Sequence, residues 1–347
     1  MHQYQWAIIG AGPAGIAAVG HLLDADIPAK DILWFDPFFT VGDLGRHWQH
    51  VSSNTRVELF MQFLHARSSF NYAKAPIDFK LNHLAVQSTC RLEHIAEPLQ
   101  WITQQLMTQV SSIQSMVHHL ELANNQWHLS TDQGEFSAKH VILAQGAEPV
   151  HLEHVDDKDI IPLSTALNPQ KLSQEVSAKT SCAVFGSSHT AIILLQSLLD
   201  LGVKQVINFY RSPCRYAMPM KDWILFDNTG LKGQSADWAR QNIDGVLPQR
   251  LLRVYASESN LNHYLPQCDK MIYAVGFKTR GSLSIGEYQH TSYNPHVGII
   301  APGLFGFGIA YPEMKADPFG NIESQVGLWK FMLYLNKVLP IWLNYRA

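Results

Sequence analysis

Tyr4-Gln5-Trp6-Ala7-Ile8-Ile9-Gly10-Ala11-Gly12-Pro13-Ala14-Gly15-Ile16-Ala17-Ala18-Val19 is the stretch that decides the fold. Tyr4 to Ile9 reads as a strand, the glycines at G-x-G-x-x-G spacing as a tight turn, and Pro13 to Leu23 as a helix. Such a turn points backbone N–H groups and the positive end of a helix at a pyrophosphate, and side chains at its glycines would block the approach. Gly10, Gly12, Pro13, Ala14 and Gly15 are therefore candidate cofactor contacts. The next strand, Asp31 to Phe35, closes on Asp36, where an acid accepts hydrogen bonds from an adenosine ribose. The alternative work for Asp36 is to cap the turn before Pro37.

The pattern recurs. Gly186-Ser187-Ser188-His189-Thr190-Ala191 lies between a strand at Ser181 to Phe185 and a helix at His189 to Leu201, closed by Gly202 and followed by a strand at Gln205 to Tyr210. Two such turns imply two bound dinucleotides, a flavin in one and a nicotinamide in the other, and hence electron transfer. Between them the spacing predicts an amphipathic helix at Pro98 to Val110 and a β-meander at Ser115 to Leu122, Gln126 to Thr131 and Glu135 to Leu143. The expected fold is α/β with two Rossmann-like dinucleotide-binding domains: one of parallel sheet plus β-meander over 1–160 and 289–347, and a second inserted at 161–288.

The net charge of -3 with mixed signs leaves no basic face for nucleic acid, so a small-molecule substrate is expected. Cys90, Cys182, Cys214 and Cys268 are too scattered for a disulfide framework or a metal cluster, which fits a reducing cytoplasm, and the 17 histidines contain no metal-ligand spacing. The apolar C-terminus is interrupted by Lys330, Asn336, Lys337 and Pro340, which excludes a membrane span and leaves a core helix or a homodimer contact.

Two turns in this order, each followed by a strand ending in glycine, make the chain resemble the two-dinucleotide-binding-domain flavoproteins, which include thioredoxin-reductase-like enzymes and flavin-dependent monooxygenases. The resemblance covers nearly the whole length. It implies that the 1–160 and 289–347 domain binds FAD, at Gly10, Gly12, Gly15 and Asp36 with Asp where Glu is more usual, and that the inserted 161–288 domain binds NAD(P)H. Leu143-Ala144-Gln145-Gly146 resembles the family's Ala-Thr-Gly stretch, and Gly303 to Gly308 its Gly-Asp segment beside the ribityl chain, with Gly146 and Gly308 matching and Ile309 in place of Asp. In the second turn Ser188 and Ala191 replace glycines, a variant these families tolerate beside Gly186. Arg211 and Arg215 resemble the basic pair that holds the 2'-phosphate of NADPH; their alternative is a pair of surface arginines.

No C-x-x-C occurs, and disulfide reduction in this superfamily needs one, because a thiolate must attack and be resolved by its neighbour. The Phe-x-Gly-x-x-x-His fingerprint is absent between Pro149 and Pro169, where His151 and His154 stand. Gly42 to Trp48, followed by Ser52-Ser53-Asn54-Thr55, resembles the flavin-facing loop of flavin-containing monooxygenases. It implies roles for Arg46 and Trp48 in cofactor binding and for Asn54 at the reactive flavin edge; the alternative for Asn54 is a cap on a helix at Arg56 to Leu64. Trp223 to Gly233 is either a substrate-covering loop or a structured surface loop. The expected function is an FAD-dependent oxidoreductase that takes hydride from NADPH and passes it to O2 and a small substrate. The rivals are reduction of a small organic acceptor or quinone, and a non-catalytic dinucleotide-binding sensor or scaffold.

Overall fold

The computed structural model describes residues 3–152 and 159–345; His154 lies outside the described residues. The chain forms two compact units, one of Met1–Gln49, Thr55–Glu148 and Thr279–Ala347, the other of His50–Asn54 and Pro149–Lys278.

The first unit is built on β1 (Tyr4–Ile9), α1 (Pro13–Asp24), β2 (Ile32–Phe35) and β3 (Gly134–Leu143). β1 runs parallel to both β2 and β3 in a nine-stranded sheet, which continues from β3 through the antiparallel strands Gln126–Thr131 and Val117–Ala123. Successive side chains of β1 alternate between faces, so Trp6 and Ile8 join one core while Ala7 and Ile9 join the other. Burial of both faces explains why β1 and β2 read as continuous apolar runs. The helix expected from Pro98 is Glu93–Met107. Ile95 and Ala96 are buried and extend the apolar stripe of Leu99, Ile102 and Leu106 by a turn, so packing carries the helix through Pro98 despite the lost N–H.

The C-terminal helix, Leu328–Leu343, is a core helix, running through Pro340 and burying Phe331, Met332, Leu335, Val338 and Trp342 in the cluster that also holds Ile16 and Val19 of α1. Among the described residues no helix is long and apolar enough to cross a membrane.

The second unit repeats the plan. β4 (Ser181–Phe185), α2 (His189–Asp200), β5 (Gln205–Tyr210) and β6 (Lys270–Tyr273) belong to a five-stranded parallel sheet in which β4 lies between β5 and β6. Strand Leu251–Tyr255 extends it beyond β5, and helix Gly233–Asn242 packs near α2. The stretch Trp223–Gly233 is held by backbone pairing: Ile224–Leu225 pairs with Met218–Pro219, and Leu231 N–H donates to the Arg215 carbonyl at 2.8 Å.

Two buried histidines of the first unit tie its stability to pH. Burial pushes His21 and His140 down to about 4, helped by Arg67 and Lys139 respectively. Below about pH 6.5 the unfolded chain takes up protons at both sites that the folded chain refuses until near pH 4, so acidification through that window favours unfolding. Each group steepens the loss by up to about 1.4 kcal/mol per pH unit. Urea unfolding followed by tryptophan fluorescence should therefore give a lower stability at pH 5 than at pH 7, and His140→Phe should remove roughly half of that difference.

Candidate dinucleotide-binding sites

Gly10 takes φ 111°, a left-handed conformation that L side chains rarely adopt, and a Cβ there would lie 2.3 Å from the Ala144 carbonyl oxygen. A Cβ on Gly15 would lie 1.8 Å from the Gly10 carbonyl oxygen. The turn itself demands these two glycines. Gly12 is different: the nearest protein atom to its Cβ position is Gly42 Cα, at an ordinary 3.9 Å. That open space sits at the N-cap of α1, which has no side-chain cap bond, and is the room a pyrophosphate needs. Gly308, at φ 86°, closes on the same helix start, since a Cβ there would come 2.6 Å from Ala14 Cβ. The residues fit a dinucleotide.

Strand-end side chains hold this turn. Trp34 Nε1–H donates to the Gly10 carbonyl at 2.9 Å, and Gly10 N–H donates to the Phe35 carbonyl at 2.7 Å. Asp36, 7% exposed, accepts Ala11 N–H at one oxygen (2.7 Å) and Phe38 and Phe39 N–H at the other (2.8 and 2.7 Å). It does cap the turn before Pro37, and carboxylate oxygens keep further acceptor capacity for a ribose hydroxyl. Gly42–Arg46 is a short helix where the sequence reads as a loop, entered through left-handed Val41. Arg46 lies over the Phe38 ring at 3.6 Å, and Trp48 N–H donates to the Asp43 carbonyl at 3.1 Å. Arg280, absent from the sequence reading, pairs with Asp43, and its carbonyl accepts the Gln145 side chain at 3.2 Å beside Gly146. No sequence signal marks it.

The second turn has the same backbone and different supports. Gly186, at φ 124°, has the Ala274 carbonyl oxygen 2.3 Å from its Cβ position, as Gly10 has Ala144. Asn208 pairs in register with Val184, two residues before Gly186, as Trp34 pairs with Ile8, two before Gly10. Fully buried, it donates both amide hydrogens, to the Val184 and Gly186 carbonyls (2.9 and 2.8 Å), and accepts Arg253 Nε–H at 2.8 Å. Trp34 and Asn208 are thus equivalent anchors; Trp34 escaped the sequence reading because its strand is uniformly apolar, whereas Asn208, a polar residue in the middle of its strand, is a signal the sequence does offer. Ser188 is exposed at the N-cap of α2, and Ala191 fills the place of Gly15 with its Cβ 3.3 Å from the Gly186 Cβ position. Tyr210 occupies the register of Asp36, with Arg253 over its ring at 4.5 Å. Arg211 follows it, exposed; Arg215 is exposed too, its guanidinium 5.3 Å from the Phe226 ring centre.

His189 is the first residue of α2. Its ring meets Ser235 Oγ at 2.7 Å through Nδ1 and the Ser52 carbonyl at 3.0 Å through Nε2. Asn54 lies in strand Ser52–Arg56, and Arg56, not Asn54, takes the N-cap position of helix Val57–His65. The cap alternative for Asn54 is therefore corrected: pairing as a strand carries the chain two residues further before the helix begins.

Three of the four cysteines are buried and Cys214 is half-buried, none in a disulfide. Burial pushes the Cys182 thiol up to about 12 and the Cys214 thiol upward. Neither favours the thiolate that disulfide exchange requires. Among the described residues no group of side chains is arranged to hold a metal ion.

Residues 4–222 match the pyridine nucleotide-disulphide oxidoreductase family. The chain is 32% identical over 381 aligned positions to "Monooxygenase AgnR1" of Paecilomyces divaricatus, covering 97% of both proteins. Its fold is similar to that of ornithine N-hydroxylase from Kutzneria sp. 744 (TM-score 0.68, 13% identity, all of both chains). It is also similar to thioredoxin reductase from Lactococcus lactis (TM-score 0.59, 13% identity, 99% of this chain and 98% of that one). The chain belongs to the pyridine nucleotide-disulphide oxidoreductase family and is a flavin-dependent oxidoreductase.

The equivalent anchors predict separable defects. Trp34→Phe leaves the half-buried Gly10 carbonyl without its indole donor and should weaken FAD retention about tenfold with NADP+ affinity unchanged; Asn208→Val should do the reverse. Flavin fluorescence on dilution and calorimetric titration of NADP+ measure the two.

Proposed function

We propose that this protein is an NADPH-dependent flavin monooxygenase acting on a small organic substrate. One observation carries the reading: two dinucleotide turns of the same register and the same glycine-to-strand approach, in a chain without a redox cysteine pair. The full-length relative named a monooxygenase supports the direction of the chemistry.

FAD and NADPH are the cofactor pair. The open space at Gly12 and the start of α1 receive the flavin pyrophosphate, Asp36 accepts the adenosine ribose hydroxyls, and Gly308 lets the cofactor lie close to the helix. Gly186, Ser188 and the start of α2 receive the second pyrophosphate. Tyr210 in the register of Asp36 presents no carboxylate to repel a 2'-phosphate, and Arg211 and Arg215 supply its countercharge. Arg46 and Trp48 flank the flavin site, and Asn54 donates a hydrogen bond at the flavin edge. When bound, the flavin supplies acceptance of hydride from the nicotinamide and two-electron delivery to oxygen. In the overall balance one NADPH, one proton, one O2 and the substrate yield NADP+, water and the oxygenated product.

The test is an anaerobic visible titration of the FAD-loaded protein with NADPH and then NADH, followed by admission of air. NADPH should bleach the flavin band at lower concentration than NADH, and Arg211→Gln should raise the NADPH requirement roughly tenfold while leaving that of NADH unchanged. After air, retention of reducing equivalents with slow release of peroxide supports the monooxygenase. Immediate stoichiometric peroxide points to a reductase, and a flavin that neither nucleotide bleaches overturns the enzyme reading in favour of a sensor or scaffold.

A further inference from the structure

The segment His50–Asn54 belongs to the second unit although Met1–Gln49 before it and Thr55–Glu148 after it belong to the first. A five-residue piece of chain needs a specific attachment to be held that way, and the structure supplies one on the dinucleotide turn. His189 stands three residues after Gly186, where the first turn has Pro13, and its ring spans two partners: Nε2 reaches the Ser52 carbonyl at 3.0 Å and Nδ1 reaches Ser235 Oγ at 2.7 Å. A carbonyl only accepts, so Nε2 carries the proton; burial holds the ring below the usual histidine range, hence neutral, so Nδ1 is an acceptor facing the Ser235 hydroxyl, whose single proton is divided between that nitrogen and the Lys232 carbonyl at 3.0 Å. Helix Gly233–Asn242 is thereby fastened to the same ring, since Ser235 lies in its first turn.

We infer that His189 is a positioning residue that makes the pyrophosphate turn, Ser235 and the Asn54-bearing segment one mechanical piece, so that occupancy of the second dinucleotide turn sets the placement of Asn54. A ligand pyrophosphate orders the first turn of α2, and His189 is the first residue of that turn. Ordering passes through one side chain to the Ser52 carbonyl and along two peptide units to Asn54. The inference rests on the reading of Gly186 to Ala191 as the NADPH turn, and its readout needs no turnover.

The experiment is hydrogen–deuterium exchange, by mass spectrometry, on the full FAD-loaded chain with and without NADP+, for the wild type, His189→Phe and His189→Gln. Phenylalanine keeps a ring without polar contacts, whereas glutamine supplies an N–H and a carbonyl. Without nucleotide, the peptide over 50–54 should exchange roughly five- to tenfold faster in His189→Phe than in the wild type, about the opening cost of one hydrogen bond, while β4 and β5 peptides stay unchanged; glutamine should restore slow exchange. Saturating NADP+ should slow exchange at both 186–192 and 50–54 in the wild type and His189→Gln, but only at 186–192 in His189→Phe. Equal exchange at 50–54 in the wild type and His189→Phe overturns the inference, as does NADP+ protection at 186–192 that never reaches 50–54 in the wild type. Failure of NADP+ to protect 186–192 in the wild type would instead remove the NADPH reading and the coupling with it, leaving the nucleotide-free comparison to judge the attachment of Ser52.

Discussion

Each βαβ unit brings the first glycine of its turn so close to the neighbouring parallel strand that the Cβ position lies 2.3 Å from a carbonyl oxygen, Ala144 for Gly10 and Ala274 for Gly186. No side chain fits there, and both glycines take positive φ besides. The approach lets the strand end and the helix start lie over one another. It is reinforced by a backbone ladder that continues past the strands: Ala144 N–H donates to the Ile9 carbonyl and Ala274 N–H to the Phe185 carbonyl. The contact sets each helix N-terminus at the end of its strand, the arrangement that suits a pyrophosphate.

What differs between the units is how polar groups around the shared backbone are satisfied. In the first, an indole N–H from Trp34 meets the glycine carbonyl and Asp36 collects three backbone N–H groups. In the second, buried Asn208 and half-buried Arg253 form a polar chain behind the turn, and Tyr210 stands where Asp36 would be. Removing one member of such a chain exposes its partner to the full cost of burial, so these side chains matter to the turn without touching a ligand. On the proposed function the difference bears on ligand choice, because a carboxylate at this position suits ribose hydroxyls and repels a phosphate.

The family name refers to a disulfide chemistry for which this chain has no cysteine pair. Its described cysteines sit in strands and loops where burial raises the Cys182 and Cys214 thiols, so the fold is used without that half of the family's apparatus. Several polar side chains pack around the two turns. Of these, His189 has the most consequential geometry, because one neutral ring joins the turn to the segment that carries Asn54.

The amino-acid sequence by itself determined the α/β class, both turns, and the bounds of β1, β4 and β5, because these depend on local apolar runs and on the leading glycines, Gly10 and Gly186, whose positive φ and close carbonyl contact admit no side chain. Leu99, Ile102 and Leu106 located a helix but not its start, since Ile95 and Ala96 are recruited by packing that no local signal announces. Only the tertiary structure decided that Trp34 and Asn208 anchor their turns, that Asp36 spends its oxygens on backbone N–H groups, and that Arg280, Arg253 and His189 reach partners 237, 45 and 137 residues away in the chain. Those assignments rest on hydrogen bonds between segments distant in sequence, and a donor's identity says nothing about which distant acceptor the fold will bring to it.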